Sequence, residues 1–418
     1  MESGKTRLKQ TRFSVMMLLQ FFTRGAWFVT LGIYLGETLS QDGKYIGFAY
    51  SLFGIAAIIT PFFVGMVADR YFATQRVMGL LHLCAGLIMV ALAQVTDPAL
   101  FTWVLFAYCI VYTPTEALAN SIVFTHMPRR SFPYVRMFGT IGWVFAGLFL
   151  NFVLGRWFGF EGVEQSILPF YVAAGSSLLL GIYSFSLPNT PPPRKGEKTS
   201  IGEVVGADAF RLFRSKSFCV FMIASLLVMI PMQMYFSFFG KFLTGIGVEE
   251  VASKMTLGQV SEALFMLAIP VLVLRVGMKW MMALGLALWA IRYFLFAEIT
   301  IDRNTLIIFT ILIHGACYDF FNVTGSMYVD SKAGEKFRAA AQGLYVLVFI
   351  GLGKFVGSNV AGLVVDQHDL GAVEGATTFD WPAIFQTTGW ISVGIFVFFV
   401  LFFHDKEKKE ADGATEAG

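Results

Sequence analysis

Residues 255–272, MTLGQVSEALFMLAIPVL, decide the fold: an apolar run of helical length carries an amide, Gln259, and a carboxylate, Glu262, in its interior. Residues 311–325, ILIHGACYDFFNVTG, repeat the arrangement with Asp319. A carboxylate at bilayer depth costs several kcal/mol unless it faces water, a partner or a cargo, so such positions mark functional sites. The chain reads as a membrane protein that moves a polar solute.

Composition points the same way. Of 418 residues, 56% are hydrophobic, only 14% are charged and Phe occurs 45 times, with a mean hydropathy of +0.67. No water-soluble domain of this size keeps such a profile in solution. The net charge of +3 is too small to suggest nucleic acid, and Lys and Arg are spread over short loops. Cys84, Cys109, Cys219 and Cys317 all lie in apolar runs without metal-ligand or disulfide spacing, so they read as small buried hydrophobes. There is no His-Glu-x-x-His, Gly-x-Ser-x-Gly or phosphate-cradling Gly-Lys motif, which argues against an enzyme, a metal site or a cofactor. The first apolar run follows MESGKTRLKQTR, is too long for a signal-peptide core and lacks a cleavage pattern, so it is expected to stay as the first span.

Segments of roughly 20 residues cross about 30 Å of hydrocarbon. Twelve are expected, at 14–36, 45–68, 77–95, 99–125, 137–155, 167–187, 218–242, 256–275, 280–299, 304–328, 338–364 and 384–403. They must be helices, because the period-2 alternation of a membrane barrel is absent. The fold class expected is all-α, with both termini on one side. Placing the termini in the cytoplasm puts about 23 of the 31 Lys and Arg there. The loop VVDQHDLGAVEGATTFDWP (364–382) has none and belongs outside.

After the sixth span, LPNTPPPRKGEKTSIGEVVGADAFRLFRSKSF (187–218) is longer than any other cytoplasmic loop. It suggests an extended linker over 188–200 and an amphipathic surface helix over 201–214; a plain tether is the other reading. The chain divides into an N-terminal six-helix bundle (1–187), a cytoplasmic linker (188–216), a C-terminal six-helix bundle (217–404) and a tail (405–418). Twelve spans split in this way resemble the two-bundle architecture of the major facilitator superfamily, whose site lies between halves that rock against each other. GMVADRYFATQR, with Gly65, Asp69, Arg70 and Arg76, resembles that superfamily's loop motif between spans two and three and reads as a gating loop; a generic positive-inside turn is the alternative. A weaker echo, LRVGMKW with Arg275 and Lys279, follows span eight.

Seven stretches in order, GAWFVTLGIYL, YSLFGIAAIITPFFVGMVADRYF, YTPTEALANSI, FPYVRMFGTIGW, LGQVSEALFMLAIP, YDFFNVTGSMYVD and RAAAQGLYVL, resemble the nucleoside:proton symporter family of that superfamily across nearly the whole chain. The likeness is to a branch of nucleoside transporters apart from its broad-specificity member. It implies a nucleoside cargo taken up with protons by alternating access, in a lipid bilayer that is a bacterial inner membrane, and the protein is expected to act as a monomer.

Arg136, Thr140 and Trp143 fall at i, i+4 and i+7 and share one helical face, a donor fork, a hydroxyl and an aromatic plane suited to a ring with oxygen acceptors. The resemblance assigns them to the substrate site, with Trp where the family has Phe. The other reading makes Arg136 an anchor at the helix end and Trp143 a packing residue. Gln259 and Glu262 share a face, and an amide with a carboxylate can read a base edge and ribose hydroxyls; the alternative pairs Glu262 with Arg292 or Lys354. His314 and Tyr318 share a face and are the expected ligand contacts in span ten, although a packing histidine remains open for His314. Asp319, five residues beyond His314, points about 140° away at about 100° per residue, so it suits an interhelical partner or a proton-carrying site. Glu262 and Asp319 are the proton-coupling candidates. Gln233 matches a family glutamine near the site, but Phe236 stands where an asparagine is expected. Arg24 and Glu116 replace apolar residues of the family in two cavity helices and form a candidate charge pair. A sugar or nucleobase carrier is the rival reading, and a sensing receptor a more distant one.

Overall fold

A computed structural model of the chain describes residues 2–68, 71–128, 131–192, 207–373 and 376–404. It is helical throughout apart from one hairpin. The helices are α1 (Leu8–Thr38), α2 (Gly43–Ala68), α3 (Thr74–Leu92), α4 (Pro98–His126), α5 (Phe132–Trp157), α6 (Leu168–Ser184), α7 (Lys216–Gly245), α8 (Val251–Val276), α9 (Met278–Ala297), α10 (Asn304–Ala333), α11 (Ala340–Gln367) and α12 (Trp381–Phe402). Eleven of them are long and apolar enough to cross a membrane. The exception, α6, has only 17 residues. Four helices, α4, α5, α6 and α12, carry Pro in the first turn, where the missing N–H costs nothing. Asp97 and Asp380 cap α4 and α12 by accepting from Leu100 N (2.8 Å) and Ala383 N (3.1 Å).

Within the first half of the chain, α1 lies on α5, and α3 on α4 and α6; within the second half, α9 lies on α12, and α10 on α8 and α9. The halves meet where α1 faces α7, α2 faces α11 and α5 faces α8. Small residues allow the α2–α11 approach: a Cβ on Gly47 would come within 2.8 Å of Gly362 Cα, and one on Gly54 within 2.7 Å of Gly351 O. Reversal between α10 and α11 is tight, since Tyr345 bonds Asn322 and Gln342 bonds Ser326 and Asp330 across the turn. Widened π-helical turns occur at Tyr34–Thr38 in α1, Phe149–Trp157 in α5, Tyr235–Phe239 in α7 and Leu347–Gly353 in α11. These are the first and fifth helices of each half, so the irregularity is itself repeated.

One face is shut. Lys241–Glu37 (2.7 Å), Lys44–Asp366 (2.6 Å) and Arg156–Glu250 (2.9 Å) join the halves at the helix ends remote from the chain termini. Beside them, Glu164 Oε1 accepts from Ala252 N (2.5 Å) and Asn151 Nδ2 (2.9 Å), and Asn151 Oδ1 accepts from Ser253 N (2.9 Å). The first half therefore caps the start of α8 in the second. These cross-half hydrogen bonds and ion pairs all lie at this end.

Three features differ from the sequence-based expectation. A two-stranded antiparallel hairpin, β1 (Asp369–Val373) with β2 (Ala376–Phe379), occupies what reads as a plain outer loop. Its Thr and Val residues favour strands, but the segment is too short for the pattern to stand out. Of the expected surface helix over 201–214, the described part, Ala207–Arg214, is a 3₁₀ helix. Residues 193–206 of the linker and 405–418 of the tail lie outside the described residues.

Candidate functional site

The cleft between the halves is built downward from the α5–α8 contact, where a Cβ on Gly147 would come within 2.8 Å of Ala252 O and 2.5 Å of the Thr256 methyl. The two helices run antiparallel, so positions can be matched by a rise of about 1.5 Å per residue. Trp143 and Gln259 stand about 5 Å from the contact toward the terminal face, Thr140 and Glu262 about 10 Å, and Arg136 about 16 Å. The stripe on α5 thus faces the amide and carboxylate of α8 at matching depths. Arg136 is the charged neighbour of Glu262.

The side chains on this stripe are unspent. Arg136, Thr140, Gln259, Glu262 and Tyr318 are each half-buried, and among the described residues none of their side chains makes a hydrogen bond or ion pair. Arg136 instead lays its guanidinium over the Phe21 ring at 4.0 Å, a contact that leaves its in-plane donors available. Buried polar groups are normally satisfied. A half-buried set without partners is suited to a ligand that supplies them.

Two close contacts hold this geometry. Gly25 of α1 sits against the backbone of Trp143, where a Cβ would approach to 3.0 Å. Gly315 of α10 crosses α8 at Ser261, whose hydroxyl accepts from Gly315 N (3.0 Å) and donates to Leu312 O. Glu262 and Tyr318 are thereby fixed on adjacent helices. Phe28 links Trp143 to Phe236 through edge contacts with ring centroids 6.0 Å apart in each case.

Other predicted residues lie elsewhere. His314, expected at the ligand, is fully buried behind the cleft. Its Nδ1 meets Arg292 Nη1 at 3.1 Å and its ring stacks on Tyr235 at 4.7 Å. Helical spacing puts it on the face of Tyr318 but cannot show that α7 and α9 cover it. Arg292 donates to Thr310 O (2.6 Å) and lies over Tyr235 and Phe296, so it is not the partner of Glu262. Nor is Lys354, which has no ion pair among the described residues. Asp319 is fully buried, and neither carboxyl oxygen has a hydrogen-bond partner. Gln233 is buried, with its Oε1 accepting from Ser358 Oγ at 3.2 Å.

Arg24 and Glu116 do pair, at 2.6 Å between Nη1 and Oε1. Arg24 Cζ also lies over Phe53 (4.5 Å) and Phe28 (5.1 Å), and 5.7 Å from the centre of Trp143. Of the loop motif, Asp69 and Arg70 lie outside the described residues, Gly65 is within α2, and Arg76 is exposed in the first turn of α3. Sequence reasoning missed the closing cluster of Glu37, Lys241, Asn151 and Glu164. Its only signal was a lysine at the end of an apolar run and acids in short loops remote from the chain termini. It also missed the buried network in which His82 contacts Ser177 Oγ (3.0 Å) and Gln20 Oε1 (2.7 Å), while Gln20 donates to Thr115 (2.7 Å).

The chain is similar to known proteins along nearly its whole length. The Escherichia coli (strain K12) protein YegT is 39% identical over 405 residues, 95% of this chain and 94% of YegT. The xanthosine permease of the same organism is 32% identical over 95% of this chain and 97% of its own length. A crystal structure of the nucleoside transporter NupG superposes with a TM-score of 0.83 at 30% identity, covering 95% of this chain and 99% of NupG, and that of a mutant form with 0.86. The family model described as nucleoside H+ symporter matches residues 8–408. On that match and these relatives, the chain belongs to the nucleoside H+ symporter family.

Proposed function

We propose that this protein is a secondary active transporter that imports nucleosides across a bacterial inner membrane together with protons. The observation that carries the reading is the polar stripe Arg136, Thr140, Gln259, Glu262 and Tyr318, without side-chain partners among the described residues and facing a cleft shut at one end. Trp143 offers a plane for the base, Gln259 a paired donor and acceptor for its edge, and Glu262 an acceptor for two ribose hydroxyls. His314 and Gln233 support the site from behind.

In this reading all twelve helices span the membrane as two six-helix bundles, 1–187 and 217–404, joined by the linker 188–216 and followed by the tail 405–418. Both termini are cytoplasmic, and the protein works as a monomer. The shut face is then the outer one and the arrangement opens inward. Alternating access requires the outer links to break while the other ends of the halves approach, with Gly65, Asp69, Arg70 and Arg76 as the inner gate. Asp319 and Glu262 carry the coupled proton. A carboxyl enclosed without a donor, as at Asp319, gains most from neutralisation before the halves reorient.

Reconstitution into proteoliposomes with an imposed inward proton gradient tests this. Uridine or adenosine should accumulate, and a protonophore should abolish the accumulation. Uptake of glucose or uracil in place of every nucleoside, or nucleoside accumulation indifferent to the protonophore, would overturn it.

A further inference from the structure

Lys354 on α11 is buried, with 6% of its surface accessible, and has no hydrogen bond or ion pair among the described residues. Its ammonium lies over the Phe53 ring at 4.6 Å and the Phe28 ring at 5.2 Å. Those are the two rings that Arg24 covers, at 4.5 Å and 5.1 Å. Two cations from opposite halves of the chain therefore share one pair of rings. Of the two, only Arg24 makes an ion pair among the described residues, with Glu116, whose side chain is partly accessible, at 29%.

With Lys354 protonated, two positive charges against one negative leave the cluster one charge in excess. A buried ammonium without a counter-charge is costly, and ring faces offset only part of the lost hydration. The same cluster borders the nucleoside stripe, because Trp143 is a neighbour of both Arg24 and Phe28. It also sits at the α2–α11 crossing, with Lys354 Cβ 3.1 Å from where a Cβ on Gly54 would lie. A single negative charge on the cargo would balance the excess and bridge α1 to α11.

We infer that Lys354 and Arg24 form an anion-accepting subsite beside the nucleoside stripe, and that the cargo class includes nucleosides whose base carries one negative charge. The inference rests on the nucleoside-carrier reading and narrows it. Arg24 is the permanent cation, Glu116 holds it in place, and Lys354 is the residue that selects for charge.

Calorimetric titration of the full-length protein in detergent at pH 7.5 tests this with two probes of shared ring and sugar: uridine, which is neutral, and orotidine, which adds a ring carboxylate. Lys354→Met should weaken orotidine binding at least tenfold while moving uridine affinity less than threefold, so uridine serves as the control for folding. Lys354→Arg should retain the orotidine affinity. Glu116→Gln, which raises the excess charge, should tighten orotidine relative to uridine. Equal orotidine affinity in the native protein and Lys354→Met, or uridine binding without any orotidine binding, overturns the anion subsite alone. Failure of both nucleosides to bind the native protein overturns the carrier reading and the subsite with it.

Discussion

Glu262 is where a single side chain can be assigned a magnitude. It is half-buried, has no hydrogen-bond partner among the described residues and stands level with Thr140 across the cleft, so its carboxylate is available to a cargo or water. Hydrogen bonds to a charged group contribute about 1.5–3 kcal/mol. Glu262→Gln should therefore weaken uridine binding by about ten- to a hundredfold, read by calorimetry, with the melting temperature little changed. A uridine affinity within twofold of the native value would mean that the carboxylate looks away from the cargo. Its neighbours show how far residue chemistry could be read in advance. The i, i+4, i+7 spacing of Arg136, Thr140 and Trp143 and the i, i+3 spacing of Gln259 and Glu262 already define faces, and their faces are the half-buried ones. His314 has the correct spacing but is covered, because spacing within one helix carries no information about which other helix lies on top. Arg24 and Glu116 could be paired from opposite signs on neighbouring helices, whereas the excess charge from Lys354 arises only when α11 is brought against α1 and α2.

At the level of helices, membrane packing replaces the hydrophobic effect with close approach and polar contacts. All twelve expected spans were legible as apolar runs bounded by Pro, Gly and charge, and eleven are long enough to cross a membrane, whereas the sixth, expected over 167–187, is a helix of only 17 residues. The ends differ by a few residues, as where α3 begins at Thr74 and α12 at Trp381, each three residues before the expected start. The π turns were not legible, since an extra residue in a turn leaves no mark in an apolar sequence. The one in α1 packs Gly36 directly against the Lys241 side chain of the other half. Helix association in the first half depends on the His82 network, which ties α3 to α1 and α6 with both ring nitrogens used. His82→Leu would leave Gln20 and Ser177 each short of a partner inside the bundle. A loss of about 1–3 kcal/mol is expected, seen as a lower melting temperature with uridine affinity per folded molecule retained. Unchanged stability would show that the network is redundant with apolar packing.

For the whole molecule, the decisive fact is the cluster of ion pairs and hydrogen bonds that joins the halves at one face. If the shut face has to open for cargo to enter, a wedge at the α2–α11 crossing should prevent it from closing again. Gly47→Leu should lengthen the distance between spin labels at positions 161 and 301, in loops of opposite halves on that face, and reduce uptake to below about a tenth while uridine still binds. An unaltered label distance would place the crossing outside the moving contact. The same label pair reports on Glu164, which lies between α5 and α6. Burial pushes its pKa up from the ordinary glutamate range, against the opposing effect of the hydrogen bonds from Ala252 and Asn151. Opening would expose the carboxyl and return its pKa to that range. The closed arrangement thus holds the proton more tightly, so its population should rise as pH falls through the window between the two values and decline as pH rises. Glu164→Gln should flatten that response; a pH profile identical to the native one would assign the dependence to another group.

The one-sided seal also has a pharmacological consequence. A nucleoside tethered to a bulky, membrane-impermeant carrier could not pass the ring formed by Lys241, Glu37, Lys44 and Asp366, so against this arrangement it would inhibit only when supplied on the side where the chain ends emerge. Right-side-out and everted vesicles would then differ in sensitivity to the same compound, and the size of that difference would measure how much of the population rests in the sealed form.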